Sequence, residues 1–234
     1  MPVDIESLFA AGGPMAQVAP RFEERPQQTQ MAVAVWSSLE EGRGLVVEAG
    51  TGIGKSLAYL LPAALWALSK GGRVLVSTHT RALQEQVFGR ELPLAAKALG
   101  VLGQRLRYAM LMGAENYVCA RRLARAASAP ELLPGAEAAL LEKFALWAQS
   151  SETAHRSALP ELAPPALWNR IVRDPDLCQG PGGRLPQDCL YRKDRERAER
   201  SEILVVNHAL LLSGARLPSF DALIIDEAHT FEEA

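Results

Sequence analysis

Residues 44–68 read GLVVEAGTGIGKSLAYLLPAALWAL, and the reading of this stretch decides the fold. A short β-type run over 44–49 enters a glycine-rich turn, and the turn opens at once into an apolar segment with helical composition over 54–69. Pro62 is the one residue that interrupts that helix. Further strand-type runs follow at VLVST (74–78), RLRYAML (105–111), ILVVN (203–207) and ALIID (222–226), and RALQEQVFGREL (81–92) reads as a helix. Strands that are apolar nearly throughout and alternate with helices specify an α/β fold, with a parallel sheet covered on both faces.

The middle of the chain is different. Residues 126–190 are rich in Ala, Pro and Gly and contain no convincing strand, with a helix expected over 135–149. PELAPPALW (160–168) and GPGGRLP (180–186) read as loops. Residues 112–200 therefore read as a mainly helical insertion into an α/β domain made of 21–111 and 201–234, with 1–20 as an N-terminal tail.

The turn itself carries chemistry. Ala49 to Ser56 fit the pattern Ala/Gly-x-x-x-x-Gly-Lys-Ser/Thr. In such a loop the backbone N–H groups around Gly50, Thr51, Gly52 and Gly54 turn inward onto phosphates, and the following helix N-terminus adds positive partial charge. Lys55 would reach the β- and γ-phosphates, and the Ser56 hydroxyl would ligate Mg²⁺. A strand before and a helix after are the required context, so the loop is read as a nucleoside triphosphate site. A second apolar strand, ALII, ends in Asp226-Glu227-Ala228-His229. Asp226 is placed to act on Mg²⁺ and Glu227 to orient an attacking water, the preparation for hydrolysis of a γ-phosphate.

With both motifs in hand the sequence resembles the XPD/DinG group of superfamily 2 DNA helicases, which are Rad3-related. EAGTGIGKS is similar to that group's motif I and DEAH (226–229) to its motif II, which brings His229 into the catalytic set. FEERPQQTQM (22–31) resembles the Q-motif, which implies that Gln28 reads the adenine edge, that Phe22 stacks on the base and that Arg25 lies with them at the nucleotide. STHTRALQEQV (77–87) resembles motif Ia, which implies DNA-backbone contacts by Thr78, Thr80 and Arg81. Taken by residue type alone, Thr78, Thr80 and Arg81 could equally cap a helix, and His208, beside Asn207, reads as a core histidine. ENYVC (115–119) and RERAERSEILVVNHALLL (195–212) follow in family order, so the likeness runs from about residue 22 to the end. It implies a RecA-like domain, ATP with Mg²⁺ as cofactors, single-stranded DNA as partner with 5′ to 3′ travel, and a role in DNA repair or replication.

Lys55 and Asp226 lie 171 positions apart, more than two or three βα units need at roughly 30 residues each. The resemblance identifies the surplus as an iron–sulfur domain. Cys119, Cys178 and Cys189 occupy three of the four family cysteine positions, and the fourth is Gly183, which offers no ligand. A [4Fe–4S] cluster ordinarily takes four thiolates. His155 or Asp188 could substitute, but nothing in the sequence favours them, and the spacing is not that of a zinc finger. The balance favours three ordinary cysteines over an intact cluster.

Composition bounds the partners. The formal net charge is −2, so no global field draws the chain to polyanions, and any nucleic-acid site is a local patch. Two such patches are present: Arg105, Arg107, Arg121, Arg122 and Arg125 against Glu115 alone, and Arg192, Lys193, Arg195, Arg197 and Arg200 against three acids. They suit a single-strand track with Tyr117 or Tyr191 for base stacking, although RKDRERAER also reads as a solvated helix face. Backbone contacts alone leave RNA open. Three cysteines argue against a disulfide framework, no signal peptide is evident, and the longest apolar run, about 12 residues, falls short of a membrane span. A cytoplasmic protein without a membrane partner is expected. The family closes ATP between two RecA-like domains, and the second, with its catalytic arginine, is expected to lie outside this chain. These residues alone are then expected to bind ATP and hydrolyse it poorly, the alternative being a non-catalytic ATP- and DNA-binding module. A small-substrate kinase fits the two central motifs but not the flanking ones.

Overall fold

The parallel sheet expected from the apolar runs is present, with four strands among the described residues rather than the five runs read. The computed structural model describes residues 4–19, 21–50, 52–128, 135–178, 185 and 189–233. They form two units, Met1–Met110 with Arg200–Ala234, and Leu111–Glu199.

In the first unit, strands β1 (Val74–Thr78), β2 (Tyr108–Met110), β3 (Ile203–Asn207) and β4 (Ala222–Ile225) pair in the order β2-β3-β1-β4, all parallel. β1 is central and buried along its whole length, which is why Val74, Leu75 and Val76 read as a continuous apolar run. Its helices are α1 (Ile5–Leu8), α2 (Pro14–Val18), α3 (Pro26–Glu41), α4 (Lys55–Lys70), α5 (Arg81–Gln86), α6 (Leu92–Val101) and α11 (His208–Leu212). α4 buries Ala58, Leu60, Leu61, Ala63 and Ala64 in a core that also holds Val74, Val76, Ile203 and Val205 of the sheet, and Pro62 sits inside the helix without ending it. The helix expected over 81–92 runs on to Val101 through a widened π-turn at Val87–Glu91. That turn precedes Pro93, which has no N–H to continue the ladder. Residues 5–18, read as a tail, instead bury Ile5, Leu8, Phe9 and Met15 in the same core.

Among the described residues the strand expected over 44–49 does not form: Leu45, Val46 and Val47 pair with no strand, and Val46 is 98% exposed. β-propensity describes fit to a pleated surface and supplies no partner. Among the described residues the outer edge of β4 has no neighbour either.

The second unit contains α7 (Ala120–Ala127), α8 (Gly135–Ser150), α9 (Pro165–Ile171) and α10 (Leu190–Glu199). Leu123, Leu141, Phe144, Leu167, Trp168 and Ile171 form its core. α9 falls where 160–168 was expected to be loop: Pro164 and Pro165 start the helix rather than break it, since Pro fits the first helical turn. Asp194 in α10 is only 3% exposed, accepting from the Ala154 N–H (2.9 Å) and the Thr153 hydroxyl (3.1 Å) and pairing with Arg197. The charged run is thus partly interior, because its buried acid is supplied with partners.

Candidate active site

The site forms where the loop before α4 meets the end of β4. Gly52 and Gly54 both adopt φ of +83°, which an L side chain rarely tolerates, and a Cβ on Gly54 would meet Gln28 Nε2 at 2.2 Å. Gly54 caps α4, whose first residues are Lys55 and Ser56. The loop is clamped from outside: Arg25 Nη1 donates to the Gly52 carbonyl (2.7 Å) and Gln28 Nε2 to the Gly54 carbonyl (3.0 Å). Gln28 is buried, Phe22 is half-buried against the core, and Gly50 is exposed. Thr51 lies outside the described residues.

Residues 172 positions apart meet across this site. Lys55 Nζ lies 3.1 Å from Glu227 Oε1, with both side chains about one-third exposed (29% and 32%). Glu227 has φ of +54°, a left-handed conformation for a non-glycine residue, and its own N–H donates to Asp226 Oδ1 (3.1 Å). Such strain costs on the order of 1–3 kcal/mol and persists where surrounding contacts hold it. His229 Nδ1 lies 3.6 Å from Glu227 Oε2, and the imidazole is largely exposed. Asp226 takes its position from β1, its N–H donating to the Ser77 carbonyl (2.8 Å).

Two supporting groups were not legible as such. Tyr59, counted among apolar helix residues, donates its hydroxyl to Asp226 Oδ2 (3.0 Å). Burial, and then the Asp226 charge, push its phenol well above the ordinary value, so it stays protonated and donates. The available signal was its spacing: four positions after Lys55 is the same helix face. His208 is buried, with Nδ1 2.7 Å from the Ser77 hydroxyl and its ring stacked on His79. Burial lowers its pKa, and it stays neutral beside the site.

The donor set fits a magnesium nucleotide. Lys55 and Ser56 stand at a helix N-terminus and the Asp226 carboxylate is bonded to the same helix through Tyr59, while the Cβ positions of Gly50 and Gly52 meet nothing within 4 Å. It does not fit a four-thiolate cluster. Burial is the main cause that raises the Cys178 thiol. The chain has only three cysteines, and among the described residues no group of three Cys, His, Asp or Glu is arranged to hold a metal ion. Gly183 and Asp188 lie outside the described residues.

Along the expected DNA-facing loop, Thr78 is buried and its hydroxyl turns to the Thr80 carbonyl (3.4 Å). Thr80 caps α5 by accepting from the Leu83 N–H (3.2 Å), and both Thr80 and Arg81 are exposed. Tyr117 is fully buried, its hydroxyl accepting from the Met112 N–H (3.0 Å), which removes it from base stacking. Arg173 covers the Tyr191 ring at 4.0 Å. Several arginines of the basic patches are structural: Arg122 donates to the Asn169 (2.6 Å) and Arg170 (3.0 Å) carbonyls, and Arg192 pairs with Glu196 (2.7 Å). No helix among the described residues is long and apolar enough to cross a membrane.

Residues 26–145 match the DEAD/DEAH box helicase family. The chain is 36% identical over 231 residues to the ATP-dependent DNA helicase YoaA of Escherichia coli, covering 94% of this chain and 35% of that protein. It is 32% identical to YoaA of Haemophilus influenzae (96% and 36% covered) and 35% identical to the ATP-dependent helicase DinG of Mycobacterium tuberculosis (88% and 34% covered). It spans about a third of the length of these relatives.

Proposed function

Because the chain belongs to the DEAD/DEAH box helicase family, we propose that it is the ATP-binding part of a DinG/YoaA-like, ATP-dependent DNA helicase. The reading rests on the meeting of Lys55 with Glu227 beside Asp226, from 172 positions apart in the chain. In it, Lys55 leaves Glu227 to take the β- and γ-phosphates, and Ser56 and Asp226 hold Mg²⁺. Gly50, Thr51, Gly52 and Gly54 supply backbone N–H donors, while Gln28 reads the adenine edge, Phe22 stacks on the base and Arg25 lies with them at the nucleotide. Bound Mg²⁺ would offset phosphate charge as it develops. Glu227, freed from Lys55, orients water toward the γ-phosphate, with His229 beside it.

Thr80 and Arg81 contact single-stranded DNA, and travel is 5′ to 3′ in the service of repair or replication. An arginine from a second RecA-like domain completes the site, and such arginines contribute about 10³–10⁵ in rate in P-loop enzymes. These residues alone therefore turn over slowly. The test is ATP binding and hydrolysis with and without single-stranded DNA, beside Lys55→Ala. One hydrogen-bonded charge contact is worth about 1.5–3 kcal/mol, so the variant should weaken ATP binding at least about tenfold. Unchanged affinity and turnover would defeat the assignment. Intact ATP and DNA binding with no DNA-stimulated turnover would make the chain a binding module.

A further inference from the structure

We infer that Tyr59 is a positioning residue for the metal site, fixing the Asp226 carboxylate relative to Ser56; this rests on the proposed Mg²⁺-nucleotide reading. The phenol is almost wholly buried (3% exposed), yet its hydroxyl reaches the end of β4 from α4 and donates to Asp226 Oδ2 at 3.0 Å. The other carboxylate oxygen, Oδ1, accepts from the Glu227 N–H at 3.1 Å. Each oxygen of Asp226 thus carries one fixed donor, which sets the plane of the carboxylate. A carboxylate offers about four lone-pair sites, so two remain for a cation. Ser56 lies one helical turn before Tyr59 on α4. One buried hydroxyl therefore ties the carboxylate at the strand end to the helix that carries Ser56. An orienting partner of this kind is what holds a metal-ligating carboxylate in a productive rotamer.

The geometry predicts a specific defect. Tyr59→Phe keeps the ring in the core and removes only the hydroxyl. Nucleotide bound without metal is held by the loop and Lys55, and does not depend on that hydroxyl. The experiment is calorimetric titration of ADP into the unmodified chain, Tyr59→Phe and Asp226→Asn, each with Mg²⁺ and with EDTA, alongside thermal melts. The unmodified chain should bind ADP more tightly with Mg²⁺. Tyr59→Phe should lose about tenfold of that gain, the worth of one hydrogen bond to a charged group, with its EDTA affinity unchanged. An unchanged Mg²⁺ gain in Tyr59→Phe overturns the inference, as does an equal loss with and without metal, which would mark a purely structural role. If Asp226→Asn keeps the full gain, or the unmodified chain shows none, the metal-site reading fails first and the inference with it.

Discussion

Replacing Glu227 by Gln should tighten nucleotide binding while removing hydrolysis. Lys55 faces Glu227 at 3.1 Å, and it must abandon that partner to reach a phosphate. Both side chains are less than one-third exposed (29% and 32%), which places the pair at the upper end of the range for solvent-accessible ion pairs, about 1 kcal/mol. Releasing that energy corresponds to about fivefold tighter binding of ADP. Gln retains the length of the side chain and the left-handed backbone of residue 227, so charge is the main difference. The assay is calorimetric titration of ADP in EDTA, which avoids turnover and metal effects. A second variant, Glu227→Asp, separates two causes: it keeps the negative charge but shortens the arm and breaks the contact. Tightening in both variants identifies competition for Lys55. Tightening in Glu227→Gln alone would mean simple repulsion of phosphate, and unchanged or weaker binding in both would refute the reasoning. Hydrolysis, where measurable, should fall by about 10² or more in Glu227→Gln, the usual worth of a positioned general base.

Gly54→Ala forces an alanine to φ of +83° and drives its Cβ against Gln28; at roughly 1–2 kcal/mol for the backbone alone, the melting temperature should fall by several degrees and ADP affinity with it. An unchanged melting curve would show that the loop relaxes freely. Tyr117→Phe leaves the buried Met112 N–H without its acceptor and should destabilise the second unit by about 1–3 kcal/mol in chemical denaturation, with single-stranded DNA affinity unaltered. A loss of DNA affinity at unchanged stability would restore a direct role. Protein purified without oxygen should hold far less than the four irons of a full cluster and show no visible absorbance; four irons per chain would mean that a ligand other than cysteine completes the set.

The parallel sheet was legible because β1 and β3 are buried on both faces, and two-sided burial leaves nearly unbroken apolar runs in the sequence. The loop at 49–56 was legible because its glycines, lysine and hydroxyl stand at the spacing of a phosphate-loop pattern, and DEAH because a pair of acids follows an apolar strand. Local composition determined these features, since each depends on neighbours within a few residues. Other features belong to partners far away in the chain. Val46 has the composition of a strand residue and lies exposed, because a strand exists only when another pairs with it. Tyr117 and Tyr191 look alike in the sequence, yet a buried hydrogen bond withdraws the first and Arg173 covers the second. Tyr59 reads as one more apolar residue of α4 until the fold brings Asp226, 167 positions away, to its hydroxyl. Sequence spacing singles out the motif residues of the proposed nucleotide site; only the packed sheet decides which side chains hold those groups in place, because hydrogen-bond partners at that range are chosen by tertiary contact.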